Sequence, residues 1–253
     1  MTVTLVQNAP RLNRSNLEAA RALVSAHADE SDVIVFPELA LNGYLLQDKV
    51  YEDAWRMEEL APLAEASLSC DIVIGAALKE KGQTYNAACY FSGGELRHVH
   101  RKVHLPNYGM FEEARYFFKG ERIEAFETLF GRSVMLVCED LWRSRTVADV
   151  ASLKPDFVYV IANSPARGFD EDGLAIEGQW DALLKSLAQL ANTYVVFVNR
   201  VGFEDGLGFW GGSRVITPRG SVEKRLPLFD EAVITVVPNN HLHDVEKWLA
   251  KFD

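Results

Sequence analysis

A chain of 253 residues, 48% of them hydrophobic and 25% charged, is long enough for one large α/β domain or two small ones and has an ordinary globular composition. A formal net charge of −10, with no basic run longer than His100-Arg101-Lys102, argues against a nucleic-acid partner, which would need a basic face. Three cysteines without CxxC spacing or a His/Cys cluster speak against a disulfide framework and against a bound metal.

The chain starts with alternating residues over 2–7, expected as a strand. Leu17, Ala20, Leu23, Val24 and Ala28 then fall at helical spacing over 15–28, with Asn13 or Ser15 available as a cap. A β-branched run at 32–36 ends at Pro37 and reads as a buried strand. Residues 51–67 are expected as a helix and 71–77 as a second buried strand. Residues 86–91 and 95–101, joined at Ser92-Gly93-Gly94, read as a hairpin. Strands are expected at 133–138, 156–161, 194–199, 213–217, 221–225 and 232–237. Helices are expected at 145–153, 177–192 and 241–251. No Pro/Gly/Ser-rich linker divides this alternation, so the expectation is one domain over 1–253 containing a mixed sheet. No apolar run nears the roughly 18–20 residues that cross a bilayer, and no basic, apolar leader opens the chain, so a soluble cytoplasmic protein without a membrane partner is expected.

In such a fold the strand ends are the natural places for chemistry. Three of them carry unusual polar residues: Phe36-Pro37-Glu38, Arg101-Lys102 and Val137-Cys138-Glu139-Asp140. Cys138 leaves an apolar strand into an acidic, aromatic turn, whereas Cys70 and Cys89 sit within apolar surroundings and read as packing. If a helix began after that turn, its amides would favour a thiolate. A cysteine nucleophile needs a base and a partner for the oxyanion. The chain offers no well-placed Cys/His pair, since His104 lies in a loop and His241 and His243 near the C-terminus. Glu38 could be the base and Lys102 the cation. Taken alone, Glu38 is equally a helix cap, Lys102 a solvated charge and Cys138 a small core residue. Spacing does not bring the three together.

Three motifs in order do connect them. Phe36-Pro37-Glu38 with Asn42-Gly43-Tyr44, then Arg101-Lys102-Val103-His104-Leu105-Pro106, then Val137-Cys138-Glu139-Asp140-Leu141-Trp142, together resemble the nitrilase (carbon–nitrogen hydrolase) superfamily over essentially the whole chain. The stretch from Lys102 through Phe117 is further similar to the glutaminase domain of glutamine-dependent NAD synthetases. The resemblance implies a four-layer αββα sandwich of the α/β class. It also implies Glu38 as general base, Cys138 as nucleophile and Lys102 as stabiliser of the tetrahedral intermediate. Glu113, within Phe111-Glu112-Glu113, would be a fourth catalytic member, with Glu112 solvated. Tyr108, the Glu139 backbone and Ser164 would meet the substrate. Tyr108 is as readily a packed loop aromatic and Asn163-Ser164-Pro165 a plain turn. Gly211-Gly212-Ser213 reads as structural, its glycines allowing close backbone approach, and Trp142, Trp180 and Trp210 as core.

The implied reaction is acyl transfer from a small carboxamide, glutamine-like or an ω-amide, through a thioester with release of ammonia. It requires no cofactor and no metal. A carboxylate acting as base near neutral pH implies a water-poor pocket. Alternatives on the same fold are a nitrilase, an N-carbamoyl amidase, or a non-catalytic or ammonia-supplying subunit beside a separate ammonia-accepting enzyme. The synthetase domain of those NAD synthetases has no counterpart in this sequence. A homodimer or higher homo-oligomer is expected from the resemblance.

Overall fold

The computed structural model describes residues 1–44, 47–171 and 173–238. Its main strands are β1 (Val3–Gln7), β2 (Val33–Val35), β3 (Asp71–Glu80), β4 (Gln83–Ser92), β5 (Glu95–Arg101), β6 (Ala125–Thr128), β7 (Gly131–Val137), β8 (Phe157–Ala162), β9 (Tyr194–Asn199), β10 (Arg214–Ile216), β11 (Val222–Arg225) and β12 (Ala232–Val236). Its helices are α1 (Asn16–His27), α2 (Ala61–Ala66), α3 (Glu113–Tyr116), α4 (Ser144–Leu153) and α5 (Ala175–Leu190).

The strands form two sheets. The first runs β12-β1-β2-β3-β4-β5, and the second β11-β10-β9-β8-β7-β6. In each, the inner pairs are parallel (β1–β2, β2–β3; β7–β8, β8–β9) and the outer ones antiparallel. The residue pattern alone reads as a mixed sheet; there are two mixed sheets, because the central strands are apolar on both faces. In β8, Phe157, Tyr159 and Ile161 point at the first sheet, while Val158, Val160 and Ala162 point at α4 and α5. The same alternation in β1 and β2 sends Val3, Leu5, Val33 and Val35 between the sheets, and Val6 and Ile34 under α1 and α2. A continuous apolar run is what a strand covered on both faces requires. The layers are therefore α, β, β, α, the sandwich that the resemblance implies.

Most expected elements are present within a residue or two, with one clear exception. Residues 51–67 do not form one helix. The chain makes a helical turn at Val50–Asp53, pairs Trp55–Arg56 with β3, passes through a 3₁₀ turn at Met57–Leu60, and only then forms α2. Pro62 accounts for the late start, because it is accepted in the first turn of a helix and not in its interior. The β3 and β4 strands are also longer than expected and meet at a turn with Lys81 and Gly82 at positive φ. The helix expected at 241–251 lies outside the described residues. No helix among the described residues is long and apolar enough to cross a membrane.

Candidate active site

Glu38 follows β2 in a tight turn that returns over the first sheet. Phe36 N–H donates to the Val73 carbonyl (2.8 Å), Gly75 N–H to Pro37 (3.1 Å) and Leu41 N–H to Gly75 (3.1 Å). A Cβ on Gly75 would lie 2.3 Å from the Leu39 nitrogen and 2.6 Å from the Glu38 Cα, so only glycine lets the turn sit there. Leu39 is itself left-handed, at φ 47°. Lys102 directly follows β5, its amide donating to the Asn86 carbonyl (2.8 Å). Glu113 opens α3. All three side chains are buried, at 0%, 1% and 5% exposure.

They meet directly. Lys102 Nζ donates to Glu38 Oε1 (2.7 Å) and to Glu113 Oε1 (2.8 Å). Asn86 Nδ2 donates to Glu38 Oε1 (2.7 Å), and Asn163 N–H to Glu38 Oε2 (2.7 Å). Tyr44 Oη donates to Glu113 Oε1 (2.8 Å), while its own N–H is held by Glu204 Oε1 (2.8 Å). Glu204 pairs in turn with the buried Arg200, whose guanidinium lies over the Phe209 ring at 4.3 Å. A buried cluster of two carboxylates and one ammonium is tolerable only with this density of donors.

Electrostatics follow from that arrangement. Burial alone would lower the Lys102 pKa, but Glu113 and Glu38 raise it well above the ordinary lysine value, so the cation is permanent. One cation facing two carboxylates leaves a negative charge over. Burial, with Glu38 opposing a second charge, pushes Glu113 up to about 7 against the pull of Lys102.

Cys138 comes from the second sheet, at the end of β7. Its φ of 45° is left-handed, a conformation that costs a non-glycine residue of order 1–3 kcal/mol. It turns the chain sharply off the strand into a 3₁₀ turn at Cys138–Trp142. The residue is partly exposed, unlike Cys70 and Cys89. Its thiol lies in the field of the cluster: burial and Glu38 raise its pKa well above the ordinary value, with Lys102 opposing. A short helix does begin here, yet the expected bias toward a thiolate does not follow. Desolvation and the carboxylates of Glu38, Glu113 and Glu139 favour the thiol.

Tyr108 and Glu139 stand together at the rim. Tyr108 Oη, half exposed, donates to Glu139 Oε2 (2.8 Å), and Glu139 Oε1 pairs with Arg143 (2.6 Å). Partial desolvation and Glu139 push the Tyr108 hydroxyl up to about 12. Ser164 is buried, and its Oγ accepts from Trp180 Nε1 (2.8 Å) and Trp210 Nε1 (3.2 Å). Both tryptophans are core as expected, with an indole N–H each on the serine. Glu112 is exposed beside Arg115, and Gly211 brings the backbone against Gln7. Among the described residues no group of three or more His, Cys, Asp or Glu side chains could hold a metal ion.

The motifs did not single out Asn86, Tyr44 and Asn163 as parts of the cluster. Asn86 leaves a trace in the sequence: an amide inside an apolar strand, a residue type strands disfavour. Asn163 acts through its backbone and so leaves none.

Residues 2–242 match the carbon-nitrogen hydrolase family. Among similar proteins are the glutamine-dependent NAD(+) synthetases of Thermotoga maritima, 33% identical over 244 residues (93% of this chain, 42% of that protein), and of Acinetobacter baylyi, 30% identical over 238 residues (90% and 42%). The chain thus spans less than half the length of these relatives. The solved structure of the glutamine-dependent NAD+ synthetase from Acinetobacter baumannii superposes with a TM-score of 0.83 at 31% identity, covering 92% of this chain and 44% of that one. In fold alone, the CN-hydrolase superfamily protein XC1258 from Xanthomonas campestris is as similar, with a TM-score of 0.85 at 22% identity over 99% of this chain and 95% of that one. The chain belongs to the carbon-nitrogen hydrolase family.

Proposed function

We propose that residues 1–253 form one hydrolase domain that cleaves the C–N bond of a small, glutamine-like or ω-amide carboxamide through a thioester on Cys138, releasing ammonia. The observation that carries this reading is Lys102, fully buried, with two of its three N–H donors fixed on Glu38 and Glu113 and the thiol in the same field.

As Cys138 Sγ attacks the amide carbon, its proton passes to Glu38. The oxyanion is received by the third Lys102 N–H and by the Glu139 backbone N–H, which lies in a first helical turn where amides have no intrahelical partner. When the C–N bond breaks, Glu38 returns the proton to the nitrogen, which leaves as ammonia. Water then attacks the thioester, giving its proton to Glu38. Collapse frees the acid, and the thiol recovers its proton. Because the resting sulfur is protonated, transfer to Glu38 accompanies attack. Tyr108 is placed in this reading at the far end of the substrate, with Ser164, whose oxygen already accepts two indole N–H groups, offering only its O–H. The resemblance to glutamine-dependent enzymes supports an amide with a polar end.

The glutamine-dependent synthetases among its relatives favour a second reading, in which the ammonia is handed on to an ammonia-consuming activity. The protein is expected to work in the cytoplasm as a homodimer or larger homo-oligomer.

The test is ammonia release from L-glutamine, ω-amides, nitriles and N-carbamoyl compounds, with Cys138→Ser beside the wild type. Amides should be hydrolysed and the variant should lose about 10⁴-fold or more in kcat. Undiminished release by Cys138→Ser would sink the nucleophile. Preference for a nitrile or carbamoyl substrate would replace the amidase reading and leave the mechanism standing.

A further inference from the structure

Asp140 lies outside the Glu38–Lys102–Glu113 cluster, yet its carboxylate is fully buried and fully occupied. Oδ1 accepts the backbone N–H groups of Val103 (3.0 Å) and His104 (2.9 Å). Oδ2 accepts the backbone N–H of Val137 (3.0 Å) and the ring nitrogen Nε2 of His100 (2.8 Å). A carboxylate has about four lone-pair sites, and here each meets a donor. Burial would raise such a carboxyl, but His100, Val137 and His104 hold it below the usual carboxylate range. It therefore only accepts, which assigns the Nε2 proton to His100. With no exposed surface and no spare lone pair, Asp140 can neither touch substrate nor exchange a proton with it.

What the four donors share is their place in the chain. His100, Val103 and His104 bracket Lys102 where it leaves β5 of the first sheet. Val137 immediately precedes Cys138, and Asp140 lies two residues beyond it, where the chain leaves β7 of the second sheet. Among the described residues no backbone ladder joins the two sheets. One side chain thus fastens the segment bearing the cation to the segment bearing the thiol. We infer that Asp140, anchored by His100, is a positioning residue that fixes the Cys138 sulfur relative to the Lys102 ammonium across the two sheets. The inference rests on the proposed roles of Cys138 and Lys102.

Two readouts separate it from a purely structural role: kcat and KM on L-glutamine, and the rate at which iodoacetamide alkylates Cys138, followed on its peptide by mass spectrometry. Asp140→Asn keeps the size and the Oδ1 acceptor but sets an N–H group against the Val137 N–H. Asp140→Ala removes all four acceptor contacts. Per folded molecule, Asp140→Asn should lose about 100-fold in kcat with KM within about threefold, and alkylation should slow at least about tenfold; Asp140→Ala should lose more of both. Folded Asp140 variants that keep wild-type kcat and alkylation rates, with only the thermal midpoint lowered, would overturn the inference. If neither variant folds, His100 decides. His100→Gln retains an N–H donor and should stay near wild type, while His100→Leu should fall about tenfold in kcat at unchanged KM; equal rates in the two overturn it. Should L-glutamine prove inert, the alkylation ratio still reads the position of the sulfur, so failure of the substrate reading and failure of the Asp140 reading are told apart.

Discussion

Lys102 stays charged across the working range while two buried carboxylates share its company, and the surplus charge falls on Glu113. A carboxyl pushed up to about 7 binds a proton in the folded state that the unfolded chain, near 4.5, has already released. In that window the native state holds more protons, so stability falls as pH rises from about 4.5 to about 7. Glu113→Gln should flatten that segment of a plot of urea midpoint against pH. It should also lower kcat by about 100-fold, because the charged contact that aims Lys102 becomes a neutral one and an N–H donor enters the cluster. A mutant profile as steep as the wild type would place the surplus proton elsewhere. The same substitution at the exposed Glu112 should change neither quantity.

Among the elements, the turn after β2 depends most sharply on one small residue. The space where a Gly75 Cβ would project is filled by backbone of the turn, which cannot swing aside as a side-chain tip can. Gly75→Ala should displace Glu38 and cost about 1–3 kcal/mol in stability, with a fall in kcat of about 100-fold measured on the folded fraction. Wild-type activity in a folded Gly75→Ala protein would show that the turn tolerates the shift. The elements themselves were largely legible in the sequence, because strands apolar on both faces and helices with an apolar stripe each carry their own period. The 51–67 segment was not, since a run of helix formers looks the same whether Pro62 sits in the first turn of a short helix or inside a longer one. The motifs pointed to Glu38, Lys102, Cys138 and Glu113; in the structure Lys102 is hydrogen-bonded to both Glu38 and Glu113, and Cys138 lies in the field of all three. The saturation of Asp140 was not legible, because three of its four donors are backbone groups, which any residue supplies.

At the scale of the whole molecule, the cluster and the thiol belong to different sheets, held face to face by side chains such as Met135, Tyr159, Val196 and Val35. Met135→Ala should cost about 2–5 kcal/mol through the cavity it leaves. Activity and inter-sheet packing, the latter followed by near-UV circular dichroism, should then disappear together on denaturation. A form with intact circular dichroism but no activity would separate them. The pairing of β1 with β12, Val3 opposite Val236, adds a constraint in time. At ordinary synthesis rates, roughly ten to fifty seconds pass between the emergence of these two strands from a ribosome. Throughout that interval β1 presents an open edge beside a wholly apolar neighbour, the kind of template on which chains stack. The protein is thus most exposed to misassembly before β12 is made, and the rate of translation through its second half becomes a determinant of yield.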